Sequence, residues 1–211
     1  CYTNRMTALL FKHYQKQAAQ EIETELKKFS KDWHATIAKQ FPLIQKEHEL
    51  FTASFFGGKM LRGALVKLGF ELTGAKAIKA IMRPAIAFEI AHAALLMHDD
   101  IIDQSPTRRD RPTVHTQMGE KSYGIAQTIC LGDLGLIQAT KLITESNFPL
   151  ERKTQALKAF LQIMTDTMIG EMLDVASPYQ KERTENNVLQ IHQMKTAHYT
   201  ITGPLTIGAI L

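Results

Sequence analysis

The spacing of apolar and polar positions is helical along almost the whole chain, and strand-like alternation is absent. Leu10, Tyr14, Ala18, Ile22, Leu26 and Phe29 recur at helical intervals. They predict one long, mostly polar helix over residues 2–40, ended by Phe41-Pro42. A second element is expected at about 43–55, and Gly57-Gly58 breaks it. A third helix is expected at about 59–73, ending at Gly74, with a short one at about 75–82. Pro84 suits the first turn of the next helix, which should run to about residue 103. The stretch 104–119 is polar, contains Pro106 and Pro112, and reads as a loop. Further helices are expected at about 121–146, 151–176 and 184–201, the last stopping before Gly203-Pro204. The predicted class is all-α, a bundle of long antiparallel helices with one conspicuous polar loop.

Composition narrows the functional classes. With 211 residues and 45% hydrophobic content the chain can bury one sizeable core, and a single domain over 1–211 is expected. Only two cysteines, Cys1 and Cys130, are present, so a disulfide scaffold is excluded and a reducing, cytoplasmic setting fits. Neither a signal peptide nor an uninterrupted membrane span is expected, because Glu89 and His92 interrupt the richest apolar run, Pro84 to Met97. The net charge of +4 suits a solvated surface or an anionic ligand. Lys12, Lys16, Lys27 and Lys28 read as a solvated helix surface, with no nucleic-acid partner expected.

The richest apolar run also carries the chemistry. From Ala85 to Met97, eleven of thirteen residues are apolar, as in a core helix. Yet Glu89, His92, Asp99, Asp100 and Asp103 fall within about 100° of one another at 100° per residue. Buried carboxylates cost several kcal/mol each unless paired or metal-bound. These three aspartates also crowd a helix C-terminus, where the macrodipole opposes them. A hard divalent cation would relieve the conflict. Asp99 and Asp103, four residues apart, suit Mg²⁺ completed by phosphate oxygens and water. Arg108, Arg109 and Arg111 follow, and arginine forks bind phosphates bidentately. Gly57-Gly58-Lys59, with Arg62 three residues beyond Lys59, is a second candidate anion site ahead of a helix.

These pieces in this order resemble the trans-isoprenyl diphosphate synthases, or polyprenyl synthetases. The matching text is GGKMLRG at 57–63 and FEIAHAALLMHDDIIDQSPTRRDRPTVH at 88–115. It continues with GDLGLIQAT at 132–140, GEMLDV at 170–175 and MKTAHYTITGPLTIGA at 194–209. The resemblance implies an all-α fold around a central cavity, a homodimer, and Mg²⁺-dependent head-to-tail condensation of isopentenyl diphosphate with an allylic diphosphate. It implies Asp99 and Asp103 as metal ligands, with Asp99, Asp103, Arg108 and Lys195 carrying catalysis. Lys59, Arg62, His92 and Arg109 are implied for isopentenyl diphosphate. Arg108, Lys195 and Thr196 are implied for the allylic diphosphate.

Departures from the family pattern are Met60 for Arg, Gly63 for Pro and Asp110 for Gly, Asp being tolerant of positive φ. The second aspartate-rich motif of the family has no counterpart after Lys195, so a C-terminal part of the domain is expected to be missing. Ala94 and Leu95 stand where the family's short-chain members carry an aromatic, and Ala91 and Ala94 suggest an open channel. A product of C20 or longer follows, from geranylgeranyl to hexa- or heptaprenyl. The alternatives are a non-catalytic or regulatory subunit of a hetero-oligomeric prenyl synthase, and a class I terpene cyclase. Gly132-Asp133 is expected to pack a helix and orient a polar contact. Glu171 and Asp174 suit a cavity mouth or a solvated or capping role.

Overall fold

Helix propensity and a thin apolar stripe suffice to build the first element. A computed structural model describes residues 2–76, 78–180 and 184–211, with the side chains of 2–9 left aside. Cys1, and Ala77 within the predicted 75–82 helix, lie outside the described residues. Helix α1 spans Tyr2–Gln40, and α2 spans Gln45–Ser54 after a 3₁₀ turn at Pro42–Ile44. Helix α3 covers Leu61–Leu72, α4 Ile78–Ile102, α5 Lys121–Thr144 and α6 Leu150–Ala176. Then α7 (Glu185–Ile191) runs into a π-helical segment, His192–Thr202, which continues as α8 (Gly203–Ile210). The all-α expectation holds.

Contacts divide the chain into two compact units. One comprises 1–60 and 86–142, the other 61–85 and 143–211. In the first, Ala18, Ile22 and Leu26 are buried on one stripe of α1. Leu10, predicted on the same stripe, is 66% exposed. Trp33 of α1 packs edge-on against His48 and Phe51 of α2. His48 is fully buried, and its Nδ1 lies 3.3 Å from His34 Nδ1. Burial, with His34 beside it, pushes the His48 pKa down to about 4.

The folded state therefore holds His48 neutral, while the unfolded chain takes up a proton below about 6.5. Stability from this group is complete above pH 6.5 and is lost as pH falls towards 4, by about 3 kcal/mol at most. Urea midpoints measured from pH 7.5 to 4.5 should fall less steeply in His48→Gln than in the wild type. Parallel slopes would remove His48 as the cause.

In the second unit, α3 and α8 meet backbone to backbone. A Cβ on Gly69 would stand 2.1 Å from the Leu205 carbonyl oxygen, and one on Gly208 would stand 2.0 Å from that of Val66. The two glycines face each other's helix and allow an approach no side chain would permit. Thr184 caps α7: its Oγ1 accepts from the Asn187 N–H, and the Asn187 side chain accepts from the Thr184 N–H.

Three expectations need correction. Pro84 does not open a helix; it lies inside α4, which runs unbroken through it. Burial of Ile81, Met82, Ala85 and Ile86 around it offsets the lost hydrogen bond. Gly203-Pro204 does not end a helix either. Gly203 N–H bonds five residues back to His198, and Pro204 follows where the wider π pattern gives way to α. The polar loop contains a small antiparallel pairing, β1 (Thr107–Arg108) with β2 (Arg111–Pro112). Helix α4 is long and apolar enough by length and composition to cross a membrane, with Glu89 and His92 interrupting it as expected. Its most apolar window is 72% buried within the protein, which makes it a core helix.

Candidate functional site

The end of α4 is closed by a backbone motif that needs no particular side chain. Gln104 adopts φ +52°; its N–H bonds to Ile101, and the Ser105 N–H bonds to Asp100. These two bonds form a Schellman closure. The Asp103 N–H still bonds to the Asp99 carbonyl, so Asp99 and Asp103 stand one turn apart on one side of the helix end. Asp99 is half-buried and Asp103 exposed.

The hairpin then turns Arg108 back onto the helix. Arg109 and Asp110 occupy its two central positions at φ +52° and +60°. This is the tight-hairpin conformation, in which Asp110 is at ease and Arg109 is strained. Arg108 Nη2 donates to Asp99 Oδ2, and Arg108 Nε donates to Asp100 Oδ1, each at 2.6 Å. Burial works against the Arg108 charge, but both aspartates outweigh it and raise its pKa. Burial pushes the Asp100 carboxyl up, against the pull of Arg108.

Asp100 is the member of the site that sequence reasoning passed over. The helical spacing places it on the polar face and assigns it no role; in the structure it is 5% exposed and anchors Arg108. Its position directly after Asp99 was the available signal.

Arg109 lies along the glycine loop. A Cβ on Gly58 would sit 3.3 Å from its guanidinium nitrogens, so the bare glycine makes room for the side chain. A cleft of about 380 Å³ opens here. Leu50, Phe56, Ala93 and Met97 form its apolar wall, and Arg108, Arg109 and Arg111 its cationic rim. Such a cleft suits a ligand with an apolar body and an anionic head.

Other predicted residues are distributed as follows. Lys59 is exposed in the non-helical stretch before α3, and its carbonyl accepts from Gln15 Nε2. The helix expected from about residue 59 begins only at Leu61, and Met60 adopts φ +48°, so Lys59 lies outside the helix that carries Arg62. Arg62 stacks over the Tyr199 ring at 4.4 Å and donates from Nη2 to Thr200 Oγ1 at 2.9 Å. Its buried Nε has no hydrogen-bond partner. His92 is half-buried on α4.

Lys195 and Thr196 lie in the π segment of the second unit. Lys195 Nζ sits 2.7 Å from both Glu171 and Asp174, so these two acids are ion-pair partners, not merely solvated. Thr196 is exposed. Gly132 and Asp133 behave as expected. Gly132 receives the His98 ring, whose Nε2 is 3.5 Å from Asp133 Oδ1.

Ala91 and Ala94, beside which an open channel is expected, lie within the packed helix. Both are fully buried. A Cβ on Gly135 would lie 2.8 Å from Ala94 Cβ and 2.9 Å from Phe51 Cζ, so an aromatic ring already fills that space. Leu95 is half-buried. The cleft borders the neighbouring stripe of α4, at Ala93, Leu96 and Met97.

Among the described residues no three metal-ligating side chains converge. That fits Mg²⁺, which takes one or two protein carboxylates and fills its shell with phosphate and water. It does not fit a metal caged wholly by protein. Asp99 and Asp103 offer the right hard oxygen donors.

Comparison with known proteins agrees with the resemblance. The family model described as polyprenyl synthetase matches residues 45–211. A geranylgeranyl diphosphate synthase of Methanosarcina mazei is 30% identical over 191 residues, covering 89% of this chain and 56% of the relative. Heptaprenyl diphosphate synthase component 2 of Bacillus subtilis is 26% identical over 196 residues, covering 92% of this chain and 52% of its own. One solved structure is a geranylgeranyl pyrophosphate synthase from Corynebacterium glutamicum, complexed with isoprenyl diphosphate and magnesium. It aligns with a TM-score of 0.85 at 25% identity, over 92% of this chain and 59% of that one. The chain spans about half the length of the curated relatives it matches. The family match runs through both compact units, and this chain belongs to the polyprenyl synthetase family.

Proposed function

We propose that this chain serves Mg²⁺-dependent head-to-tail condensation of isopentenyl diphosphate with an allylic diphosphate, giving a prenyl diphosphate of C20 or longer. The observation that carries the reading is the end of α4. Asp99 and Asp100 hold Arg108 of the hairpin, Asp103 stands one turn beyond Asp99, and an apolar-walled cleft opens beside them. The names of the relatives, geranylgeranyl and heptaprenyl diphosphate synthases, support the product range.

In this reading Asp99 and Asp103 hold Mg²⁺, which, when bound, offsets negative charge on the diphosphate leaving group. Arg108 supplies a fixed guanidinium to the same charge, pre-oriented by Asp100. Lys195 and Thr196 are further contacts for the allylic diphosphate. As the allylic C–O bond breaks, Arg108, already in place, stabilises the departing anion. Apolar walls keep water from the allylic cation. The isopentenyl double bond attacks that cation, and the proton lost from the adduct passes to the departed diphosphate. Arg109, Lys59, Arg62 and His92 hold the isopentenyl diphosphate.

A homodimer remains part of the proposal, supported by an exposed stripe on α5 at Ala126, Ile129, Cys130 and Ile137. A terpene cyclase would need no second diphosphate site, whereas cations beyond Arg108 are present at Arg109, Lys59 and Arg62. The test is incubation of the full chain with geranyl or farnesyl diphosphate as primer, labelled isopentenyl diphosphate and Mg²⁺. Products of C20 or longer are expected. Turnover that stops at farnesyl diphosphate from shorter primers would refute the chain length, and no incorporation at all would refute the activity.

A further inference from the structure

Lys195 brings one positive charge to two carboxylates. Its Nζ lies 2.7 Å from Glu171 Oε2 and 2.7 Å from Asp174 Oδ2. Both acids lie on α6, three residues apart and so on one face. The π segment reaches that face because of Gly170, where a Cβ would stand 2.5 Å from the Lys195 backbone nitrogen. The contact is therefore built into the helix packing and is not a chance meeting of long side chains.

The two partners are not equivalent. The Glu171 side chain is 17% exposed and that of Asp174 48%. Solvent screens the exposed pair more strongly, so Glu171 has the firmer hold. Burial works against the Lys195 ammonium, but its hydrogen bonds to Asp174 and Glu171 outweigh this and push its pKa well up. Lys195 thus stays charged throughout the physiological range. What can change is its partner, not its protonation.

We propose that Glu171 is a positioning residue that acts through Lys195, holding the ammonium back so that an incoming diphosphate must displace a carboxylate to gain the cation. The inference rests on the functional reading above, in which Lys195 meets a diphosphate. Together the three side chains carry one net negative charge, so an approaching anion meets repulsion first. Attraction follows only when Lys195 swings to it. Weakly charged anions compete poorly against two carboxylates, and a diphosphate with its Mg²⁺ competes well. Glu171 therefore lowers affinity and raises selectivity at the same cation.

The test is calorimetric titration of inorganic diphosphate with Mg²⁺ into the full chain as wild type, Glu171→Gln, Lys195→Gln and the double variant. Glu171→Gln should bind about five- to ten-fold tighter, within the range of one ordinary net hydrogen bond released to the ligand. On the Lys195→Gln background the same change should give no gain, because the coupling runs through the ammonium. Asp174→Asn should give a smaller gain in the same direction. It carries the test alone if circular dichroism finds Glu171→Gln unfolded. A gain that persists without Lys195, or no gain with Lys195 present, overturns the inference and leaves the functional reading standing. A folded wild type that binds no diphosphate overturns both.

Discussion

Replacing Asp99 by alanine should lower the condensation rate by roughly a thousand-fold or more while the chain stays folded. Asp99 is half-buried, and its known partner, Arg108, keeps a second carboxylate at Asp100. The stability cost of losing one member of such a partly exposed network is on the order of 1 kcal/mol. The catalytic cost is larger, because in the proposed reading one of the two carboxylates for Mg²⁺ is gone and Arg108 loses one of its two anchors. The contrast with Asp100 sharpens the point. Asp100 is the buried member, and removing it leaves the Arg108 charge without its inner partner. Asp100→Ala should therefore reduce stability first and activity through it. Steady-state rates at saturating Mg²⁺, with urea midpoints for both variants, separate the two roles. Near-normal turnover in Asp99→Ala would remove that carboxylate from the mechanism.

The second large effect is on stability. Gly69→Val should destabilise the chain by about 3 kcal/mol or more, a large share of the 5–15 kcal/mol typical of folded domains. Even one methyl at this position would stand 2.1 Å from a backbone oxygen of α8, and backbone cannot step aside as a flexible side chain can. Relief would require α3 and α8 to separate, which would also pull Gly208 away from Val66. Chemical denaturation should show an early transition with loss of helicity. An unchanged midpoint would mean that the two helices can move apart at little cost.

Helix positions were legible because the helical period persists along the chain. The predicted ends of α5 and α6 lie within two residues of those observed, and the helix predicted over 184–201 corresponds to α7 together with the π-helical segment that follows it. The predicted breaks at Pro84 and Gly203-Pro204 failed for a common reason. Proline penalties are local and about 3 kcal/mol, and burial around Pro84 or a change of hydrogen-bond pattern before Pro204 exceeds or sidesteps them. The hairpin between Thr107 and Pro112 was unreadable because only two residues pair on each side. The site residues were legible in kind. Three aspartates at the end of an apolar helix, followed by arginines, break burial and dipole rules together, and such violations mark chemistry.

By itself, then, the sequence determined the helical class, the family, and which charged side chains are candidates for anions and for a metal. These follow from period, composition and ordered motifs, all local along the chain. Only the tertiary structure decided which charges hold one another: Arg108 between Asp99 and Asp100, Lys195 between Glu171 and Asp174. It alone decided that Phe51 fills the space beside Ala94. The physical reason is that ion pairing and close packing depend on distances of a few ångströms between residues far apart in sequence. Those distances are set by helix packing at Gly69, Gly170 and Gly208 and by a left-handed turn at Arg109 and Asp110, which residue types alone do not specify.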